Sequence, residues 1–180
     1  MPLTLFDAVS LTALATLLGT AIWHDALARR IPNALVLWGA ATALGLSLSP
    51  HGLGLGSALA GGMVGFLGFG VLYLLRMVGA GDVKLAAATG LFVGHPDMLW
   101  VNLLILAAGG VLSLVWALST GQLGAVLRNL QSGLLMWFLK RQHGAVGHTA
   151  AFPVSRTRMP YAVAIGMGTA LHVFNTWPAP

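Results

Sequence analysis

The sequence contains no cysteine and no glutamate, and only 7% of its 180 residues carry a formal charge. Without cysteine there is no disulfide, no thiolate nucleophile and no Cys-ligated zinc site. Soluble domains carry about 25% charged residues, so a water-facing surface of ordinary composition is excluded. The acids reduce to Asp7, Asp25, Asp82 and Asp97. What fills the chain instead is apolar: 57% hydrophobic residues and a mean hydropathy of +0.86. These values imply an all-α integral membrane protein, because an unassisted backbone crosses lipid only when its polar groups are paired internally. The nine Lys and Arg give a net charge of +5. They flank apolar runs rather than forming a basic face, which fits membrane topology and argues against a nucleic-acid partner. No basic residue precedes the first apolar run, so that run is expected to be a retained span and not a signal peptide.

A crossing needs about 20 apolar residues. Spans are expected at about 3–23, 33–49, 54–75, 82–94, 97–119 and 159–176, with turns at "SPHGLG" (49–54) and "GHPD" (94–97). Between them, residues 120–158 read as a cytoplasmic interfacial segment. The apolar positions 123, 126, 127, 130, 134, 137 and 138 have helical spacing, with Arg128, Asn129, Gln131 and Ser132 between them. With six crossings, Arg29, Arg30, Arg76, Lys84, Arg128, Lys140, Arg141, Arg156 and Arg158 all fall on one side. The positive-inside rule makes that side cytoplasmic. Both termini, with Asp7 and Asp97, then face outward, and residues 1–180 form a single membrane domain. Gly61, Gly65 and Gly68 in the third span, and "LAAATG" opening the fourth, are expected to let helix backbones approach closely.

The same sorting places Asp25 at the end of span 1 and Asp82 at the start of span 4, on one face of the membrane. Ionisable groups at membrane depth are costly and tend to be functional. Two neighbouring carboxylates share a proton, because both cannot ionise cheaply. One takes a proton from water while the other gives one to a carbonyl oxygen, which is peptide hydrolysis without a covalent intermediate. Of the two, Asp25 stands at a helix C-terminus, where the dipole opposes negative charge, and Asp82 at an N-terminus, where it favours it. An ion-coupled transporter is the alternative use of such acids. It predicts midplane carboxylates and inverted repeats, and no repeat is visible.

Three motifs carry a family resemblance. "GAGD", residues 79–82, followed by "VKL", resembles the GxGD motif of the type IV prepilin peptidases. "DALARRIPN", residues 25–33, resembles their first aspartate motif, and "RMPYAVAIGMG", residues 158–168, resembles their last helix. The resemblance runs from about residue 20 to 170 in the family's order. It implies a membrane aspartic endopeptidase of the bacterial inner membrane. Such an enzyme removes basic leaders from type IV prepilin-like precursors at the cytoplasmic face and works beside pilus or secretion assembly components. By this likeness Asp25 and Asp82 are the catalytic pair, and Gly79, Gly81, Lys84, Pro32, Asn33, Pro160 and Tyr161 support them. Many members add a methyltransferase domain with a four-cysteine zinc site. This chain resembles the short peptidase-only form of tight-adherence (Flp) pilus systems, so no methylation and no cofactor are expected.

The supporting residues also have physical readings. Gly79 and Gly81 allow a tight turn and a close backbone approach beside Asp82. Pro32 suits the first turn of span 2. Lys84 either tunes the loop or marks the membrane boundary, and Tyr161 is either an interfacial anchor or a hydrogen-bond donor to the site. The six histidines are scattered without ligand spacing, so no metal is expected. Anionic lipids are expected partners of a basic leader, since the enzyme's own loops are basic.

Overall fold

Long apolar stretches punctuated by glycine and proline leave one economical way to pair the backbone, and the described residues are helical wherever they form regular structure. The computed structural model describes residues 4–121, 124 and 161–176. Six helices lie among them: α1 Leu5–Ala28, α2 Asn33–Ser47, α3 Leu55–Leu74, α4 Ala80–Val93, α5 Asp97–Ser119 and α6 Tyr161–Thr176. There is no strand among the described residues. The expected turns at 49–54 and 94–97 fall between helices as the sequence suggests. Most of the interfacial segment, with Pro160 and five of the basic residues, lies outside the described residues. Contacts divide the chain into one unit of Met1–Gly109 with Pro160–Pro180 and a second of Gly110–Met159. Within the second, α5 continues to Ser119, and the Ser119 and Thr120 hydroxyls donate to the Trp116 carbonyl at 3.0 and 2.7 Å.

Three helices are long and apolar enough to cross a membrane: α1 with 24 residues, α3 with 20 and α5 with 23. The others are shorter, at 15 residues for α2, 14 for α4 and 16 for α6. At 1.5 Å per residue they measure about 21–24 Å, below the roughly 30 Å of a hydrocarbon core.

The helix ends have local causes. Thr4 caps α1 in a reciprocal pair with Asp7: its hydroxyl accepts from the Asp7 N–H at 3.2 Å, and the Asp7 carboxylate accepts from the Thr4 N–H at 3.2 Å. α1 outruns the expected end at residue 23 by more than a turn and stops at Arg29, whose φ of 50° is left-handed. His24 and Asp25 therefore lie inside its last turns. Pro32 is the N-cap of α2 (φ −61°, ψ 131°) rather than its first helical residue, one position earlier than expected. α3 ends in a Schellman pattern, with the Met77 N–H on the Leu72 carbonyl and the Arg76 N–H on that of Tyr73, both at 2.9 Å. Arg76 takes the left-handed position at φ 59°.

α3 and α4 form the tightest pair. Cβ atoms at Gly61 and Gly65 would collide with the carbonyl oxygens of Gly90 and Ala86. The expected close approach of these spans is thus present, with backbone against backbone. Gly68 serves another neighbour. It opens space for Asn102 of α5, whose Nδ2 donates to the Val64 carbonyl at 3.1 Å. Gly65→Ala should accordingly destabilise the bundle by about 1–3 kcal/mol through overpacking. Gly70→Ala, where no atom stands within 4 Å of the new methyl, should not. Unfolding midpoints of the two variants in detergent check the contrast.

Candidate active site

One end of the first unit gathers the C-terminus of α1, residues 31–33, the start of α4 and the start of α6. Asp25 is 8% exposed. Its Oδ2 accepts a hydrogen bond from the Ala162 N–H in the first turn of α6 at 3.2 Å. Such N–H groups have no partner within their own helix, so an incoming carboxylate satisfies both sides. His24, one residue away, is exposed, because neighbouring helix positions point about 100° apart.

Asp82 occupies the third position of α4, and its Oδ2 accepts from the Gly79 N–H at 2.9 Å. This is half a capping box; Gly79 has no side chain to return the bond. The start of α6 thus holds Asp25 through Ala162, and Asp82 opens α4 at the same end of the unit.

The Ile-Pro-Asn element docks on the same helix start. The Lys84 Nζ donates to the Asn33 Oδ1 at 2.9 Å, joining positions that are 51 residues apart. Ile31 packs over Gly81, where a Cβ would meet the Ile31 Cβ at 3.4 Å. The expected support residues Gly79, Gly81, Lys84, Asn33 and Tyr161 thus lie around the acids, and Pro32 sets the turn. The glycines act differently from the tight-turn expectation. Gly79 is extended at φ −84°, and Gly81 is not among the positive-φ residues. Gly79 contributes space: a Cβ on it would stand 3.2 Å from the Asp82 Oδ2.

The structure adds residues that the sequence did not single out. Phe69 is 1% exposed and meets Tyr161 edge-on, with ring centroids 5.9 Å apart. Gly109 leaves room for the Tyr161 ring, since a Cβ there would lie 2.7 Å from its hydroxyl. The "GG" doublet at 109–110 was the available signal for Gly109; Phe69 had none among so many apolar positions. The Ala162 N–H also adds a helix N-terminus beside Asp25, of opposite sign to the dipole of α1.

The other two acids stand at the far end of the unit. Asp7 caps α1, and the Asp97 Oδ2 is 3.9 Å from the His172 Nε2 in the last turns of α6. Among the described residues no three His, Asp or Glu side chains are grouped to hold a metal ion.

Comparison with known families decides the class of the protein. The profile of the type IV leader peptidase family matches residues 12–118, more than half of the chain, and takes in both aspartates with the Ile-Pro-Asn and GxGD elements. The chain belongs to the type IV leader peptidase family. No curated protein and no solved structure matches it. As a type IV leader peptidase it processes prepilin-like substrates, in place of the transporter chemistry that intramembrane acids otherwise admit. The match stops short of α6, so the roles of Ala162 and Tyr161 rest on geometry.

The 3.2 Å spacing at Gly79 gives a graded test. Gly79→Ala should press on the Asp82 carboxylate and, with Asp82 in the catalytic role expected from the sequence, lower cleavage by about tenfold. Gly81→Ala places its methyl in ordinary contact and should cost little. Initial rates of precursor cleavage by the two purified variants measure the difference.

Proposed function

We propose that this peptidase is an aspartic endopeptidase with Asp25 and Asp82 as its catalytic pair. Its substrates are the basic leaders of type IV prepilin-like precursors of the Flp class, cut at the cytoplasmic face of the bacterial inner membrane. The observation that carries this reading is the bond from the Ala162 N–H at the start of α6 to the buried Asp25 carboxylate, at the end of the unit where Asp82 stands in the first turn of α4. Two carboxylates at one such end share a proton, because both cannot ionise cheaply. With one proton between them, the ionised carboxylate takes a proton from water. The water oxygen attacks the scissile carbonyl, whose oxygen receives the proton of the other acid. Collapse of the resulting diol releases the amine, and the carboxyl groups return the protons.

Six crossings with both termini outside accommodate the basic residues on the cytoplasmic side. On that side lie Arg29, Arg30, Arg76 and Lys84, all at the end of the unit that carries Asp25 and Asp82. While Asp25 comes from the long α1, three of the helices that bring site residues, α2, α4 and α6, are short. Their starts lie below the surface of an undeformed bilayer, where a water-filled recess supplies the hydrolytic water. No methyltransferase activity accompanies the peptidase reading, since the resemblance is to the peptidase-only form and the chain has no cysteine.

Asp25→Asn and Asp82→Asn should each abolish cleavage of a prepilin-type precursor while the protein still inserts and folds. Asp7→Asn and Asp97→Asn should cleave normally. Substantial cleavage by either of the first two variants would falsify the aspartic assignment.

The recognition of a basic leader has a second consequence. The chain's own net charge is +5, so the enzyme repels a basic leader, and anionic lipid must hold it, at about 1 kcal/mol per basic residue. Cleavage in reconstituted vesicles should fall when anionic lipid is replaced by zwitterionic lipid or when salt is raised. Rates indifferent to both changes contradict lipid capture.

A further inference from the structure

Tyr161 is half-buried, yet its hydroxyl has no hydrogen-bond partner among the described residues. A phenol in apolar surroundings ordinarily finds one. Tyr161 lies with its hydroxyl against α5 at Gly109. Its ring is fixed on two sides, by the edge of Phe69 at 5.9 Å and 73° and by the missing side chain of Gly109. A Cβ on Gly109 would stand 2.7 Å from the hydroxyl and 2.9 Å from Cζ. The residue after Tyr161 donates its N–H to Asp25. The hydroxyl is thus an unused donor, held in one orientation, at the helix start that also holds a catalytic carboxylate.

We propose that Tyr161 is a catalytic hydrogen-bond donor to the scissile carbonyl oxygen, and that Gly109 is the positioning residue that seats it. The inference rests on the aspartic reading above. As water adds, the carbonyl π pair moves onto oxygen. The neutral acid gives that oxygen its proton while the ionised one takes a proton from the water. Tyr161 donates a hydrogen bond throughout and keeps its own proton. A donor fixed before the reaction is worth most where charge develops and water is scarce. Phe69 supplies the apolar wall that keeps the ring from turning away.

The test uses the full chain in vesicles with a prepilin-type precursor as substrate, and Asp25→Asn as reference. Tyr161→Phe retains the ring and its seat; it should lower kcat by about 10- to 100-fold, at or below the loss for one oxyanion donor. KM should stay within about twofold, as expected when a transition-state interaction is lost, and the unfolding midpoint should not move. Gly109→Ala, which displaces the phenol, should lower kcat similarly. In the Tyr161→Phe background it should cost less than about twofold more, because no hydroxyl remains to misplace. If Tyr161→Phe retains wild-type kcat while Asp25→Asn is inactive, the Tyr161 proposal fails and the aspartic reading stands. If Asp25→Asn is active, the aspartic reading itself fails. Equal losses from Gly109→Ala in both backgrounds assign Gly109 to packing and overturn its positioning role. Should Gly109→Ala not fold, Tyr161→Phe decides alone.

Discussion

A carboxylate carried into an apolar bundle must find a donor there, because an ionised group left unpaired in low dielectric costs many kcal/mol. For Asp25 that donor is the Ala162 N–H, 137 residues further along the chain. The bond ties the last turns of α1 to the first turn of α6. It also meets the need of a helix start whose N–H groups have no internal partner. Its consequences reach the neighbouring residue: with Ala162 fixed, Tyr161 is delivered to the same end of the bundle, beside Phe69 and Gly109.

The packing of α3 on α4 sets the depth at which this happens. Gly61 meets Gly90 and Gly65 meets Ala86, each without side chains between the backbones. One further turn in the same antiparallel register brings Phe69 to the level of Asp82, which is where Phe69 meets the Tyr161 ring. Bulkier residues in the glycine row would part the helices and remove the wall behind the tyrosine. In lipid, where apolar contact between helices gains nothing over contact with acyl chains, close backbone packing of this kind is the main source of helix association.

Support around the acids is shared among segments distant in sequence. Lys84 and Asn33 join the start of α4 to that of α2, and Ile31 covers Gly81. The type IV leader peptidase family profile spans both elements, and their contact gives a physical reason for their coexistence: each fixes the loop that the other needs. Neither site glycine has a positive φ, and Gly79 contributes room beside the Asp82 carboxylate.

Much of this was legible beforehand. The six helices, the turns at 49–54 and 94–97, and the separation of Asp25 and Asp82 from Asp7 and Asp97 follow from apolar run length and the placement of charge. Both are one-dimensional properties that a membrane reads directly. The end of α1 was misjudged because polarity at His24 and Asp25 resembles a boundary. In the fold Asp25 is buried against α6, so the helix runs on to Ala28. The partners of the acids were not legible either. A backbone N–H such as that of Ala162 has no signature in side-chain identity, and Gly109 and Phe69 are ordinary members of apolar spans until a tyrosine is set against them. The sequence by itself determined the helices, their polarity and the two acids, since these depend on local hydropathy and charge. Only the tertiary structure decided which donor meets which carboxylate, because that depends on helix register and on contacts between residues far apart in the chain.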